Sequence, residues 1–368
     1  MKKPANTAAQ FADIAYQPQD PKTYHPAIGL IGCGAITEYH LRAYKNAEYQ
    51  VTALCDLDVK AAAARRDEFF PDAAVFSDHR ELLADKKIEV VDVTTHPEVR
   101  GRLIEESIAA GKHVLSQKPF VLDLDEGERL AKLAEKKGVK LAVNQNARWA
   151  PHFSYMREAV WAGEIGQVAS VHCGVHWNHE WVKGTPFESI YHLMLYDFAI
   201  HWFDFLTTIM AGDGNNREEP TRVFASTTKS PTQEIKPALL AQVAVEYPTA
   251  QATLVFDGHT EHGQHNHTFI SGTEGTLRSS GIDENRQTVQ FSKQGGTFSP
   301  VLEGMWFPDG FHGTMGELLC AIEQKREPSN SARNNLHSLA LCFAAIESAQ
   351  RGVPVVPGTV RKLPEPPW

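Results

Sequence analysis

The 368-residue sequence has little cysteine, no long apolar run and no metal-binding cysteine pair. Its five cysteines are widely spaced and odd in number: Cys33, Cys55, Cys173, Cys320 and Cys342. They favour buried thiols in a reducing compartment over a disulfide framework, and the lack of a CxxC pair argues against a zinc site. No segment approaches the roughly 20 consecutive apolar residues that a membrane-spanning helix requires. The composition therefore predicts a protein without disulfides and without a membrane partner.

The sequence also lacks a cluster of basic residues and a secretory signal. Its formal net charge is −9, and its 36 lysines and arginines are scattered, whereas a nucleic-acid-binding surface needs them concentrated. The amino terminus has two lysines but neither an apolar stretch nor a twin arginine. We therefore predict no nucleic-acid partner and a cytoplasmic location. The length suggests two domains of roughly 150 residues each.

A glycine-rich turn near the amino terminus is one glycine short of a dinucleotide-binding fingerprint. Residues 27–38 read AIGLIGCGAITE, so an apolar run ends in two glycines and passes into a helical pattern, with Thr37 in the third glycine position. Gly32 allows a tight turn, and Gly34 leaves space for a pyrophosphate at the helix N-terminus. Asp56 lies 22 positions beyond Gly34 and closes a second apolar run, where its carboxylate can accept both ribose hydroxyls. This context favours an NAD site over an ordinary strand-to-helix turn.

The predicted cofactor site combines this turn with residues at the ends of neighbouring strands. The set is Gly32, Gly34, Ala35, Ile36, Asp56, Thr95, His96, Gln117 and Lys118. Asp56 is followed by Leu57 and Asp58, so this segment has two carboxylates and no arginine. Because carboxylates repel a 2′-phosphate, we expect NAD to be preferred over NADP.

The hydrophobic pattern changes character at about residue 144. Before it, strand and helix patterns alternate, which predicts a Rossmann domain with a doubly wound parallel sheet. After it, period-two runs predict an α+β domain with a large, open, mostly antiparallel sheet. These runs are residues 168–177, 222–228, 239–247, 251–257 and 267–271. The predicted domains are an arm (1–25), a Rossmann domain (26–144), a substrate-binding and oligomerisation domain (145–351) and a proline-rich tail (352–368).

Several motifs along nearly the whole chain resemble those of one family. Residues 111–120, GKHVLSQKPF, are similar to "AGKHVxxEKP"; residues 146–151, NARWAP, to "nxRfxP"; and residues 270–276, ISGTEGT, to "ixGteGt". With the glycine turn, the chain resembles the glucose–fructose oxidoreductase/inositol dehydrogenase family, Gfo/Idh/MocA. Gln117 replaces the glutamate usual in the family, which removes a negative charge beside Lys118.

Two segments carry the candidate catalytic groups. Lys118 follows a strand at the carboxyl end of a parallel sheet, where such folds bind ligands, although a solvated turn lysine fits the residues alone. Residues 193–210, LMLYDFAIHWFDFLTTIM, are apolar nearly all round and predict a buried helix. Its Asp197, His201 and Asp204 share the spacing of one helical face. Buried charged groups need polar partners. This helical face therefore either contacts a cofactor or a water-filled cleft, or its Asp and His side chains pair with each other inside the core.

The resemblance assigns these groups to one reaction. The segment is similar to the family's "DxGxHxxD" helix, with Ala199 in place of glycine, and this implies that Lys118, Asp197 and His201 converge beside the nicotinamide. Asp204 is expected to orient its neighbours. Oxidation of a secondary alcohol requires a base for the hydroxyl proton, for which His201 polarised by Asp197 is suited. A cationic Lys118 can stabilise the developing alkoxide. The sequence leaves open which of His201 and Lys118 is the base.

Substrate contacts are predicted from two segments rich in histidine and aromatic residues. Residues 172–181, HCGVHWNHEW, suit a sugar ring, whose CH face stacks on aromatics, but a sheet edge or subunit interface fits equally. The predicted substrate-binding set is Arg148, Trp149, Trp177, His179 and Tyr191. Residues 259–267, HTEHGQHNH, match no known metal-site spacing. We predict a loop there and no metal.

Three functions fit these residues. The first is an NAD-dependent oxidoreductase that oxidises a secondary hydroxyl of a sugar, glycoside, cyclitol or sugar acid. The second is an NAD-dependent glycoside-cleaving enzyme. It oxidises the sugar, eliminates the aglycone, adds water and reduces the sugar again, so that the cofactor is recycled. The third is a non-catalytic NAD-binding regulator, which would not need Lys118, Asp197 and His201 together. Because a large open sheet needs a cover, we also expect a homodimer or homotetramer.

Overall fold

The computed structural model describes residues 11–211 and 218–365 of the chain. In the first part, strands and helices alternate as β1 (Ala27–Ile31), α1 (Thr37–Asn46), β2 (Gln50–Cys55), α2 (Val59–Phe69), β3 (Ala74–Phe76), α3 (His79–Ala84), β4 (Ile88–Val93), α4 (Pro97–Ala109), β5 (His113–Gln117), α5 (Leu124–Lys137) and β6 (Leu141–Asn144). The second part contains α6 (Pro151–Trp161), β7 (Val168–His176), α7 (Ile200–Ala211), β8 (Arg222–Thr228), β9 (Leu240–Glu246), β10 (Gln251–Asp257), β11 (His265–Gly272), β12 (Gly275–Gly281), β13 (Gln287–Lys293), β14 (Gly296–Phe298), α8 (Asp309–Glu323) and α9 (Ala332–Arg351).

The first sheet is a parallel Rossmann sheet. Its strand order is β3-β2-β1-β4-β5-β6, and every neighbouring pair is parallel. Ile28 and Leu30 of the central strand β1 are fully buried, as expected when helices cover both faces. The strand order reverses at β1 and β4, and ligands of such sheets bind at this switch point. The predicted Rossmann architecture is confirmed.

The compact units interleave along the chain, whereas the predicted domains are consecutive segments. One unit consists of residues 17–149 and 306–339, and the other contains the remaining described residues. Helix α8 belongs to the first unit because it packs against α1. Its Phe311 and Met315 share a hydrophobic core with Leu41 and Tyr44 of α1. Burial of this apolar face explains why a late segment joins the nucleotide-binding unit.

The predicted arm is held to the protein where the structure describes it. The Glu323 carboxylate accepts the backbone N–H groups of Thr23 at 2.6 Å and Tyr24 at 3.0 Å. The Phe11 ring stacks on Phe298 with ring centroids 5.4 Å apart. Residues 1–10 of the arm lie outside the described part of the chain.

The second sheet has eight strands in the order β14-β13-β12-β11-β7-β10-β9-β8. Only β7 and β10 pair in parallel, so the predicted mostly antiparallel sheet is confirmed. Burial alternates along β9 and β10, because one face packs on the core and the other faces outward. The register places Ala244, Thr253 and His172 in one cross-strand row of the outward face. Strands β12, β13 and β14 were not among the predicted runs.

The structure corrects the single α-helix predicted over residues 193–210. Leu193–Phe198 is a π-helix, in which the N–H of Ala199 bonds the carbonyl of Met194 at 2.8 Å, five residues back. Helix α7 then continues the segment with regular geometry. The predicted burial of the segment is confirmed. Short π segments of this kind are often found at functional sites.

All five cysteines are free and buried, as the sequence predicts. Among the described residues, no helix combines the length and the apolar content needed to cross a membrane.

Candidate active site

The glycine turn between β1 and α1 has the geometry that a dinucleotide requires. Gly32 has φ 103°, in the left-handed region, and a Cβ there would lie 2.9 Å from the Thr94 hydroxyl. A Cβ on Gly34 would meet nothing within 4 Å, so this side of the turn is open. Thr37, in the third glycine position, is buried and donates its hydroxyl to the Gly32 carbonyl at 2.8 Å. The missing glycine is thus replaced by a hydroxyl that fixes the turn.

Asp56 lies directly beside this turn at the end of β2. Its Oδ2 accepts the Cys33 N–H at 2.7 Å, and its Oδ1 accepts the Asp58 N–H at 2.8 Å. Each carboxylate oxygen keeps acceptor capacity for a ribose hydroxyl, and Asp56 is partly exposed. At the start of α1, Ile36 provides no side-chain cap to the helix, so the N-terminus can receive a pyrophosphate. The residues of the turn therefore fit NAD.

Two side chains near the turn were not foreseen as site residues. Arg65 of α2 lies 3.4 Å from the Gly34 carbonyl and pairs with Glu38 at 3.4 Å. An arginine therefore does lie near the turn, but a carboxylate engages it. Burial, with Asp56 nearby, raises the pKa of the Cys33 thiol to about 12, so it stays protonated at neutral pH.

Asp56→Ala should weaken NAD binding about 10- to 100-fold and relax the preference for NAD over NADP. The change removes a charged acceptor of ribose hydroxyls, and such hydrogen bonds contribute about 1.5–3 kcal/mol. Calorimetric titration with each cofactor measures both affinities.

Asp58→Ala is the matched control. Asp58 caps α2 by accepting the Lys60 N–H at 3.0 Å, so its loss should lower stability and leave NAD affinity unchanged. Equal or tighter binding of NADP by the unmodified protein would contradict the predicted preference.

Lys118 lies in a tightly held loop at the end of β5. Its backbone N–H donates to Gln117 Oε1 at 2.8 Å, and its peptide bond to Pro119 is cis. Arg100, only 2% exposed, donates to the carbonyls of Gln117 at 2.8 Å and Thr95 at 3.0 Å, and also to that of Pro119. The loop backbone is thus fixed while Lys118 itself is partly exposed. Arg100 was not foreseen, because its position in an ordinary helix pattern gives no signal.

The other predicted cofactor residues lie at the carboxyl ends of β1 and β4. Ala35 is exposed in the turn after β1, and Thr95 is half-buried just after β4. His96 is exposed at the N-cap of α4. Contact of these residues with NAD stays a prediction.

The second unit carries His201 and the two aspartates. Asp197 is half-buried in the π-helix, whereas His201 and Asp204 lie in α7 and are 6% and 1% exposed. The one-face spacing of a regular helix therefore applies to His201 and Asp204 only. Burying such groups is costly unless they are paired, so this segment is built for polar interactions.

An aromatic cluster adjoins the π-helix. The rings of Trp177 and His179 stack with centroids 5.7 Å apart, and Phe198 of the π-helix lies 4.5 Å from Trp177 and 4.6 Å from His179. The backbone N–H of His179 donates to the Gly258 carbonyl at 2.7 Å. The structure thus places two predicted substrate-binding residues beside the Asp197 segment. Tyr191 is half-buried just before it.

Arg148 and Trp149 are buried within the nucleotide-binding unit. Arg148 donates to the Ser329 carbonyl at 2.6 Å and is 5% exposed. Trp149 packs on Gly313 of α8 so closely that a Cβ there would collide with the indole. These contacts favour structural roles, and the predicted substrate contacts of both residues stay predictions.

The histidine-rich segment 259–267 is only partly a loop. His259 lies before β11, and its Nδ1 is hydrogen-bonded to the Ser230 hydroxyl at 2.7 Å. His265 and His267, in contrast, belong to strand β11. The pKa of His267 is lowered mainly by burial of its ring, and the nearby His265 and His176 lower it further. Among the residues that the structure describes, no group of three or more His, Cys, Asp or Glu side chains is arranged to hold a metal.

Comparison with known proteins identifies both halves of the chain. Residues 27–145 match the "Oxidoreductase family, NAD-binding Rossmann fold", and residues 153–278 match the "GFO/IDH/MocA C-terminal domain". The two matches together span more than half of the chain.

Individual relatives agree with this assignment. D-apiose dehydrogenase of Paraburkholderia graminis is 26% identical over 346 residues, covering 88% of this chain and 87% of that protein. Inositol 2-dehydrogenase of Rhizobium meliloti is 26% identical over 332 residues, covering 87% and 96%. An Agrobacterium radiobacter oxidoreductase, solved with NAD⁺, L-tartaric acid and magnesium, shares the fold with a TM-score of 0.80, at 21% identity over 91% of this chain and 99% of that chain. The chain is therefore a member of the Gfo/Idh/MocA family of oxidoreductases, and its first domain is an NAD-binding Rossmann domain.

Proposed function

We propose that this oxidoreductase oxidises a secondary hydroxyl of a sugar, glycoside, cyclitol or sugar acid, with NAD as hydride acceptor. The observation that carries the proposal is Lys118, partly exposed on a loop fixed by Arg100 at the ligand-binding edge of the Rossmann sheet. The relatives named D-apiose dehydrogenase and inositol 2-dehydrogenase support a polyhydroxylated substrate.

The proposed reaction divides two tasks between Lys118 and His201. NAD, when bound, supplies the hydride acceptor. His201 takes the hydroxyl proton, and Asp197 stabilises the imidazolium that forms. Lys118 donates a hydrogen bond to the substrate oxygen and stabilises the negative charge that develops there. A rigid loop backbone suits this task, because a preformed donor needs no reorganisation during the reaction.

The aromatic cluster supports a carbohydrate substrate. Trp177 is half-buried, and its indole combines a flat apolar surface with a polar NH, which suits a ring with one CH face and several hydroxyls. His179 is 4% exposed and supports Trp177 by stacking on it. Retention of Lys118, Asp197 and His201 favours an enzyme over a regulator that only binds NAD, because such a regulator needs no proton transfer.

A substrate panel tests the proposal. The purified protein is incubated with NAD and separate sugars, glycosides, cyclitols and sugar acids, while NADH and released aglycone are measured. The proposal predicts substrate-dependent NADH formation. Aglycone release without net NADH would instead support the glycoside-cleaving alternative, in which the cofactor is recycled.

Self-association through the outward face of the eight-stranded sheet is part of the proposal. Thr253 lies on a central strand of that face, and Phe224 on β8 is 46% exposed in the same cross-strand row. A second copy of the chain covers this face and forms a homodimer or homotetramer. Light scattering at micromolar concentration should therefore give at least twice the 40.8 kDa mass of the chain.

Thr253→Arg should weaken this association at least tenfold, because the interface would bury an unpaired charge. Thr52→Arg places the same change at an exposed strand position of the other unit and should leave the mass unchanged. A monomeric unmodified protein, or an unaltered mass for Thr253→Arg, would contradict the proposed interface.

A further inference from the structure

A continuous chain of buried hydrogen bonds runs from Asp92 of β4 through His40 of α1 to the Lys118 loop. Asp92, His40 and Asn144 are fully buried, and Gln117 is 4% exposed. Asp92 Oδ2 lies 2.7 Å from His40 Nδ1, His40 Nε2 lies 3.0 Å from Asn144 Nδ2, and Asn144 Nδ2 lies 2.9 Å from Gln117 Oε1. Gln117 Oε1 also accepts the Lys118 N–H at 2.8 Å. All of these residues belong to the nucleotide-binding unit.

The Lys118 N–H fixes the direction of every hydrogen bond in this chain. A backbone N–H can only donate, so the atom of Gln117 that faces it must be the amide oxygen. That oxygen can only accept, so Asn144 must present its NH₂ group to it. The same NH₂ group donates to His40 Nε2, which therefore carries no proton.

The other end of the chain is consistent with this direction. His40 Nδ1 must carry the ring proton and donates it to Asp92, which also accepts the Tyr44 hydroxyl at 2.6 Å. The Thr314 hydroxyl lies 2.8 Å from Asn144 Oδ1, as expected when that atom is the oxygen. Amide orientations are otherwise ambiguous, but here a backbone donor settles them. His40 is thus a neutral imidazole with its proton on Nδ1.

We propose that Asp92, His40 and Asn144 are positioning residues that hold Gln117, and through it the backbone of Lys118, in place. This inference rests on the proposed role of Lys118. The chain explains how Gln117 can replace the glutamate usual in the family, since its amide oxygen supplies the same acceptor to Asn144 and to the Lys118 N–H. The chain also supplies polar partners to a histidine and a carboxylate that are fully buried, which offsets part of the cost of burying them.

Asn144→Asp tests the chain with almost no change in shape. The new carboxylate offers only acceptors, so Gln117 must turn its NH₂ group toward it and withdraw its oxygen from the Lys118 N–H. We expect kcat to fall about 10- to 100-fold, as for small displacements of reacting groups, with little change in the KM for NAD. Asn144→Leu, which has no polar atoms, should lower kcat by a similar factor.

Tyr44→Phe is the matched control. It removes the hydroxyl that donates to Asp92 and lies 3.3 Å from His40 Nδ1, but it leaves all the bonds from Asp92 to Lys118 in place. Its thermal midpoint should fall while kcat stays unchanged. A purely structural role for the network would predict the opposite pattern, with loss of kcat following loss of stability in all three variants.

Nitrogen-15 NMR of the histidine side chains provides a readout that needs no substrate. We expect the signals of His40, assigned as those lost in His40→Gln, to show protonated Nδ1 and unprotonated Nε2. In Asn144→Asp, a second carboxylate beside the ring should favour the doubly protonated form.

Two results would overturn the inference: an unmodified His40 with its proton on Nε2, or unaltered kcat in Asn144→Asp. Failure of the proposed function is separable from both. If Lys118→Ala kept its turnover while Asn144→Asp lost it, the role of Lys118 would fall, whereas the hydrogen-bond chain would still be shown to act on the loop.

Discussion

Lys118→Ala should reduce kcat about 10²- to 10³-fold while NAD affinity stays near that of the unmodified protein. The expected factor is that for removing one donor aimed at a developing negative charge. NAD affinity should be preserved because the glycine turn and Asp56 hold the pyrophosphate and ribose at the other end of the nucleotide. Turnover is followed as NADH formation with the best substrate of the panel, and NAD binding is followed by calorimetry.

Two variants bracket this result. Lys136→Ala removes an exposed lysine from the last turn of α5 and should leave kcat unchanged. Lys118→Arg keeps the positive charge but replaces a compact ammonium group with a planar guanidinium group, so its kcat should lie between those of Lys118→Ala and the unmodified protein. Near-normal turnover of Lys118→Ala would remove the lysine from the proposed reaction.

His201→Ala should lower kcat about 10²- to 10⁴-fold, the range for loss of a general base. Asp197→Asn should also lower kcat, because it removes the charge that stabilises an imidazolium on His201. Neither change should alter NAD affinity much, since neither residue belongs to the Rossmann unit.

The control for His201→Ala is His262→Ala, which removes an exposed histidine of the same unit and should not change kcat. In a single-turnover experiment, His201→Ala should also form enzyme-bound product more slowly than the unmodified protein, because the proton transfer is part of the chemical step. Retention of normal single-turnover rates would assign His201 a structural role.

Local chemistry explains which features the sequence predicts well. The glycine turn and Asp56 are recognisable because a tight turn, an open helix N-terminus and a strand-end carboxylate each follow from residue type and spacing. The parallel sheet follows from the alternation of strand and helix patterns. Period two also reveals β8, β9 and β10, where one face is buried and the other is not.

Features that depend on contacts between distant segments were not predictable in this way. Thr37 fills the third glycine position by bonding the Gly32 carbonyl, and Arg100 holds the Lys118 loop from α4. The strand β12, GTLRSSG, lacks clear alternation because glycine and serine dilute its pattern. The π-helix is a single short segment inside an apolar run, so the sequence pattern does not reveal its hydrogen bonds to the residue five positions back.

Transfer of the carbinol hydrogen to NAD is the central claim, and isotopic labelling tests it most directly. A substrate from the panel is deuterated at the carbon to be oxidised, and the reduced cofactor is analysed by mass spectrometry. The account predicts one deuterium in the reduced nicotinamide for each product formed, a slower turnover than with the unlabelled substrate, and a rate of deuterium transfer about 10²- to 10³-fold lower in Lys118→Ala. Product formation without deuterium in the cofactor, from a protein that binds NAD, would contradict it.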